Sequence, residues 1–264
     1  MLFSDYERYT YARTPLVETV CQLRFPTILH IDANEPAAFQ EAVRRDFPRY
    51  VVREERLPQR ILNPGTPQQA LEQPQTIRNY TFLSADNLWK LNLTRSFIAL
   101  STLRYTRWEE FAQKLDKPLA QFIQIYQPAP FERVGLRYVN AFSRQRLGLE
   151  GRPWNDLLEP PFLGPLDEDD IAEAAVNKCS VDLETAFADG IRMKMHAGPG
   201  RIGDSKKDPE VKFILDGDFS AVGNVPADQV PEKLEAMHRY AVRLFLGSMT
   251  NLTFNALGPV SADQ

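Results

Sequence analysis

The sequence predicts an α+β fold, with antiparallel sheets backed by long helices. Two observations carry this. Segments such as "PLVETVCQLRFP" and "FERVGLRYVNAF" alternate apolar with polar residues, the period of a half-buried strand. Long stretches near 108–126 and from about Val230 instead place apolar residues at helical spacing.

In the opening strand, Val17, Cys21, Leu23 and Phe25 alternate with Glu18, Gln22 and Arg24. Asn34 then offers a helix cap, and Phe39, Ala42, Val43 and Phe47 follow at helical spacing until Pro48. Residues 48–76 lack periodicity and are rich in Pro, Gln and Arg, which predicts a long surface excursion. "IRNYTFLS", "LWKLNLT" and "FIALSTLRY" read as three strands of a meander, joined by the short connections "ADN" and "RS". "RWEEFAQKLDKPLAQFIQIY" reads as an amphipathic helix with Trp108, Phe111, Leu115, Leu119, Phe122 and Tyr126 on one side. Pro118 is expected to kink it or restart it after Asp116.

The same order then recurs. "FERVGLRYVNAF" is a strand, and short helices are expected around "WNDLL" and "DEDDIAEAA". Strands follow at "CSVDLETAF", "IRMKMHA" and "EVKFILDGDF". A final long helix turns Leu234, Met237, Ala241, Leu244, Phe245, Ser248 and Leu252 inward. The element order suggests an internal duplication of a β-α-β-β-β-α unit, with residues 1–128 and 129–264 as the halves of one compact unit. "LRF" at 23–25 and "LRY" at 136–138 open the two halves, in a register that needs a bulge or a gap.

With 43% hydrophobic and 25% charged residues, the 264-residue chain has the composition of a globular protein. A net charge of −4 gives no global attraction to nucleic acid or anionic membranes. The opening "MLFSDYERYTYART" lacks the apolar core of a signal peptide, and no apolar run is long enough to cross a bilayer. Cys21 and Cys179 lie far apart in apolar, strand-like segments and read as two buried free thiols. A cytoplasmic location and no membrane partner follow as expectations.

Gly198, Gly200 and Gly203 have the spacing G-x-G-x-x-G. A dinucleotide site needs a helix opening at the third glycine, whereas Gly203 leads through "DSKKDPE" into another strand. A hairpin tip is the expectation, with Arg201, Lys206 and Lys207 able to meet an anion. The three histidines, His30, His196 and His238, show no zinc spacing. Asp182 with Glu184, and Asp216 with Asp218, each share a strand face and could hold Mg²⁺ or Mn²⁺ if the strands were neighbours; solvated strand ends explain them too. No nucleophile elbow occurs, and His238 reads as a packed, hydrogen-bonded residue beside the apolar stripe of the last helix. "DEDD" at 167–170 complements the exposed N–H groups of a predicted helix start. No cofactor is predicted.

Arginine is the most suggestive feature. Arg44, Arg45, Arg49, Arg53, Arg56 and Arg60 surround Tyr50, a set that suits phosphate and bases or an Arg- and Tyr-rich protein interface. Asp46, Glu54 and Glu55 dilute it.

"PLVETVCQLRFP", "RWEEF", "FERVGLRYVNAF", "DGDF" and "LEAMHRYAVRLFLGSMTNL" together resemble a sporadically distributed, uncharacterised bacterial protein family of similar length. The resemblance spans nearly the whole chain and implies no established activity, substrate or cofactor. It implies an accessory role in a mobile or defence-associated system. The expectation is therefore a non-catalytic binding or regulatory subunit. It would dock another protein through the Arg-rich excursion or the loop at 198–209. Nucleic-acid binding through Arg45, Arg49, Tyr50 and Arg53 is the first alternative, and a metal-dependent enzyme using Asp182, Glu184, Asp216 and Asp218 the second.

Overall fold

The computed structural model describes residues 1–56, 61–62, 70–71, 76–203 and 206–261. In chain order the first half contains β1 (Tyr9–Tyr11), β2 (Leu16–Arg24), α1 (Leu29–Ala33), α2 (Ala37–Val43) and β3 (Arg49–Arg56). The two-residue strands β4 (Ile61–Leu62) and β5 (Ala70–Leu71) follow, then β6 (Thr76–Leu83), β7 (Trp89–Leu93), β8 (Phe97–Thr102) and α3 (Trp108–Tyr126). The second half begins with β9 (Phe131–Phe142) and the one-turn helices α4 (Arg144–Leu147), α5 (Trp154–Leu157) and α6 (Pro160–Leu163). It ends with β10 (Val181–Ala186), β11 (Ile191–Gly200), β12 (Lys212–Val225), α7 (Val230–Gly247), α8 (Asn251–Leu257) and β13 (Pro259–Ser261). The predicted α+β class is the observed one.

Nine strands form one antiparallel sheet in the order β10-β11-β12-β9-β2-β8-β7-β6-β3. At its centre β2 pairs with β9, and each is flanked by the last sheet strand of its own half, β8 and β12. The first half adds β3 at the edge; the second inserts the one-turn helices instead.

Alternation sends Cys21 and Leu23 of β2, Val134, Leu136, Tyr138 and Phe142 of β9, and Phe213, Leu215 and Phe219 of β12 to one buried face. The two long helices cover it. Phe122 of α3 lies against Phe25 at 4.7 Å and Phe111 against Trp89 at 5.8 Å, while Phe245 of α7 stacks on Phe142 at 5.9 Å. The opposite face carries Arg24, Arg133, Arg137, Arg192, Lys194, Asp216 and Asp218, half-buried or exposed.

Several elements depart from expectation. Residues 49–56 are a regular strand, not an irregular excursion, because β6 supplies a complete antiparallel partner from Arg49↔Leu83 to Arg56↔Thr76. The remainder of the expected excursion lies largely outside the described residues. The helix predicted after Asn34 is split: Asn34 is extended and ends α1, and Pro36 precedes α2 as its N-cap. Pro118 does not interrupt α3. Losing its N–H costs about 3 kcal/mol, offset here by burial of Phe111, Leu115, Leu119 and Phe122 on both sides of it. No helix forms at "DEDDIAEAA" beyond a single 3₁₀ turn, Glu173–Ala175. Its one large apolar residue, Ile171, is 40% exposed, so a helix there would have no apolar stripe to bury. The last helix stops at Gly247, and Thr250 caps a separate α8 by accepting from the Thr253 N–H. Cys21 is buried as expected, but Cys179 is only half-buried.

The glycine that ends α7 has a packing cause. A Cβ there would stand 2.6 Å from the carbonyl oxygen of Leu2, because the N-terminal strap crosses α7 at this point. The crossing is pinned by Ser4 N–H donating to Arg243 O at 3.1 Å and Arg243 Nε donating to Ser4 O at 2.9 Å. Gly247→Ala is expected to push the strap off α7 and lower stability by about 1–3 kcal/mol, measured by urea unfolding. An unchanged midpoint would show that the strap contributes nothing to the fold.

Candidate functional site

Two features stand out: an aromatic cavity on the helix side of the sheet and a charged groove on its open side.

The cavity measures about 400 Å³. It begins with a defect in the central seam. Leu16 pairs with Asn140 but Glu18 pairs with Val139, so Val17 is an extra residue, a β-bulge. The bulge turns Leu16, instead of the expected Val17, onto the helix side beside Asn140, and both line the cavity. Tyr138 and Asn140 of β9 alternate onto the same wall. From α7 come His238, Ala241, Val242 and Phe245, a single helical stripe. Tyr105 to Trp108 lead into α3 and form another side. The strap closes the remainder. Its strand β1 pairs with β13, and Tyr9 and Tyr11 pack edge-on against Phe254 at 5.1 Å and Phe245 at 5.5 Å.

His238 is the chemical centre. Its ring stacks on Trp108 at 4.7 Å with planes 9° apart, and Nδ1 lies 3.0 Å from the Tyr138 hydroxyl. Tyr138 is in turn hydrogen-bonded to Tyr105, and burial raises both phenols well above the ordinary tyrosine range. Trp108 is fixed from outside by its Nε1, which donates to Glu235 at 2.5 Å. Burial first, and the positive field of Arg8 second, lower the His238 pKa to about 4 against a weaker opposing pull from Glu109. His238 is therefore a neutral imidazole at neutral pH. Nε2 bonds to no described residue. The imidazole also has no carboxylate on Nδ1 and no thiol or aliphatic hydroxyl nucleophile bonded to it among the described residues. Cys21, held at about 12 by burial, is a protonated thiol.

On the open face the four predicted carboxylates do share one side, but β11 runs between them. Asp182 faces His196, which faces Asp216; Glu184 faces Lys194, which faces Asp218. The two acidic pairs are thus about 10 Å apart, two strand spacings. Each acid already has a hydrogen-bonding partner. His196 Nδ1 lies 2.8 Å from Asp182, lowering that carboxyl below its usual range, and Lys194 donates to Glu184 at 2.5 Å. Arg137 grips Asp216 through both Nε (2.7 Å) and Nη2, and Arg133 Nη2 donates to both oxygens of Asp218 at 2.6 and 2.8 Å. No group of three or more His, Cys, Asp or Glu side chains among the described residues is placed to hold a metal ion. Gly135 has a steric role: the Arg133 guanidinium lies over it, 2.1 Å from where a Cβ would stand.

The groove there, about 630 Å³, is lined by Arg24, Arg133, Arg192 and Lys194 against Glu184 and Asp218. Arg24 stands directly across the seam from Arg133. Arg24 and Arg192 have no acidic partner among the described residues.

The other predicted basic residues are dispersed. Arg45 is an exposed turn residue after α2, and Arg49 donates to Asn87 at 2.8 Å. Along β3 the side chains alternate, so Tyr50 packs near Tyr80 and Phe82 on the helix side while Arg53 lies opposite Asn79. Arg56 shares the face of Tyr50, and Arg60 lies outside the described residues. Gly198 and Gly200 end β11, and Gly203 is a turn glycine with φ +76°, as a hairpin requires. Arg201 Nε donates to Pro209 O at 3.1 Å, and Lys206 and Lys207 are exposed beyond it. Six strand spacings, about 29 Å, separate this hairpin from β3, so the two basic segments do not form one surface.

Sequence reasoning missed the cavity. The available signal was a set of polar residues at inward positions, namely Thr19, Tyr138, Asn140 and His238, together with the tyrosine-rich N-terminus. The packed, hydrogen-bonded His238 was read correctly. Compared with models of known families and with curated proteins, the chain has no match.

The depressed pKa of His238 predicts a pH dependence. Folding holds the ring neutral, so the unfolded chain binds more protons between pH 6.5 and about 4. Stability contributed by this group is complete above pH 6.5 and falls as pH drops through that window. Moving from pH 7.5 to 5 is expected to cost about 2 kcal/mol through His238, and His238→Gln should remove that share of the slope. Parallel wild-type and variant urea midpoints against pH would refute it.

Proposed function

We propose that the chain is a non-catalytic binding subunit of the cytoplasm that docks an acidic segment of a partner protein on the open face of its sheet. The supporting observation is the arginine row at one end of that face. Arg24 and Arg133 are directly opposed like charges, an unfavourable cross-strand pair, and Arg192 follows on the same side two strands beyond β9. Asp218 compensates Arg133 alone. The groove gathers four basic and two acidic side chains in a protein whose net charge is −4. Such a local reversal favours an anionic partner.

An acidic peptide fits better than a nucleic acid. Glu184 and Asp218 interrupt the basic row, and a continuous phosphate backbone would have to pass both. Carboxylates spaced along a peptide can instead meet Arg24 and Arg192 singly, as charge-assisted pairs. The reading keeps the accessory role that the family resemblance implies and transfers it from irregular segments to a sheet face.

The test is fluorescence anisotropy of a labelled twenty-residue Glu-rich peptide against the full chain, with a labelled single-stranded DNA of equal length alongside. Peptide binding that weakens with salt and falls at least tenfold in Arg24→Glu/Arg192→Glu is expected. Tighter binding of the DNA than of the peptide, or peptide binding indifferent to the double reversal, would overturn the proposal.

A further inference from the structure

Protein interiors hold few voids larger than a water molecule, so a hollow of about 400 Å³ between helix, sheet and strap calls for an occupant. Its wall selects that occupant. Most of the surface is the carbon of flat rings, among them Tyr105, Tyr138, Trp108, Tyr11 and Phe245. Water alone satisfies such a wall poorly, since each buried water needs two to four polar partners. The threonine hydroxyls of the wall are engaged locally, Thr10 by Val260 O, Thr14 by the Leu16 N–H and Thr106 by Glu110, and the other polar groups of interest fall into a buried and an exposed set. At the buried end stand His238, Asn140 and Tyr138, each under a tenth exposed. His238 Nε2 makes no hydrogen bond to a described residue, and the Asn140 side chain makes only a 3.5 Å contact with Leu215 O. At the exposed end stand Glu7, Arg8 and Arg107. Glu7 is engaged by the Tyr9 hydroxyl and Arg8 by Glu109. Arg107 makes no contact ion pair among the described residues and feels Glu109 only as a nearby charge.

We propose that this cavity binds a planar aromatic acid of one or two fused rings. The ring lies against the tyrosine and tryptophan walls, where offset and edge-on contacts are favourable. Its far edge exchanges a hydrogen bond with His238 Nε2 or the Asn140 amide, and its acid group meets the Arg107 guanidinium at the mouth. The hydroxyl chain Tyr105–Tyr138–His238 lets Nε2 serve as donor or acceptor. If Tyr138 donates to Nδ1, Nε2 carries the hydrogen; if Nδ1 donates to Tyr138, Nε2 accepts. An aromatic wall can also hold a quaternary ammonium. Here the charged residues of the wall are two arginines, Arg8 and Arg107, against one acid, Glu7, a balance that disfavours a cation. The site lies on the helix side of the sheet, opposite the arginine groove, and stands independently of it.

The test is isothermal titration of the full chain with 2-naphthoate, 2-naphthol and choline. Saturable one-to-one binding of 2-naphthoate is expected, with weaker 2-naphthol and no choline. Arg107→Ala, at an exposed position outside the core, should weaken 2-naphthoate about tenfold and leave 2-naphthol nearly unchanged. Ala241→Phe, which fills the hollow from α7, should abolish both; Val242→Phe serves as the second filling variant, and circular dichroism confirms the fold of each. Absence of saturable 2-naphthoate binding up to millimolar concentration, stronger binding of choline, or binding indifferent to Arg107→Ala would each overturn the proposal.

Discussion

The antiparallel pairing of β2 with β9 is the constraint on which the rest of the structure depends. β2 closes the five strands of the first half and β9 the four of the second, so their pairing alone joins the halves into one surface. From Arg24↔Arg133 to Glu18↔Val139 the register places Cys21 opposite Leu136 and Leu23 opposite Val134, which makes one face continuously apolar across the seam. The helices α3 and α7 then have a single place to bury their stripes, each over its own half. A one-residue slip would turn Arg133 and Arg137 toward Phe122 and Phe245, a cost no surface contact could offset. The bulge at Val17 falls near the start of β2, beyond its last pair with β8 at Thr19↔Thr102, where β9 alone flanks it and has to accommodate the extra residue.

That register also settles the charges of the open face. Rows across β10, β11 and β12 read acid, base, acid, and the arginines of β9 supply the next base. Compensation is therefore a property of strand order, not of neighbouring residues in the chain. "VDLE" and "DGD" are both acidic pairs on one strand face, but their meaning depends on "RMKMH" lying between them. The row runs out at its end, where Arg24, Arg133 and Arg192 outnumber the acids within reach.

The strands were legible because each has a buried and an exposed side. "FERVGLRYVNAF" coincides with β9 over its whole length, and α7 begins at Val230 as its apolar stripe predicts. Helix ends were less legible. Pro118 and "DEDDIAEAA" misled in opposite directions: tertiary burial overrode a helix breaker in α3, and acidic capping residues could not make a helix of a segment with nothing to bury. The 49–56 segment looked irregular because an edge strand exposed on both sides has no binary pattern; all eight of its residues are exposed. The cavity was illegible for a further reason. Its wall draws on the strap, β2, β9, the start of α3 and α7, and no local spacing records that these meet. What the sequence did carry was a set of inward-facing polar residues in otherwise apolar elements, and such residues mark either a hydrogen-bonded core or a site.

His238 shows how the two outcomes can coincide. A buried imidazole is acceptable only if it is neutral and hydrogen-bonded, and Tyr138 and Trp108 meet both conditions without consuming Nε2. A residue serving packing alone would be expected to have both nitrogens satisfied or to be replaced by a carbon ring of the same shape. Here one nitrogen is held and the other faces the hollow. The strap is the element that bounds the hollow toward solvent. The strap strand β1 pairs over three residues only, at a second sheet separate from the main one, and its tyrosines rest edge-on against α7 and α8. Backbone hydrogen bonds from Ser4 to Arg243 and from Ala12 and Arg13 to Gly258 and Leu257 complete its attachment, so the hollow is closed on that side by ring packing and a few main-chain bonds.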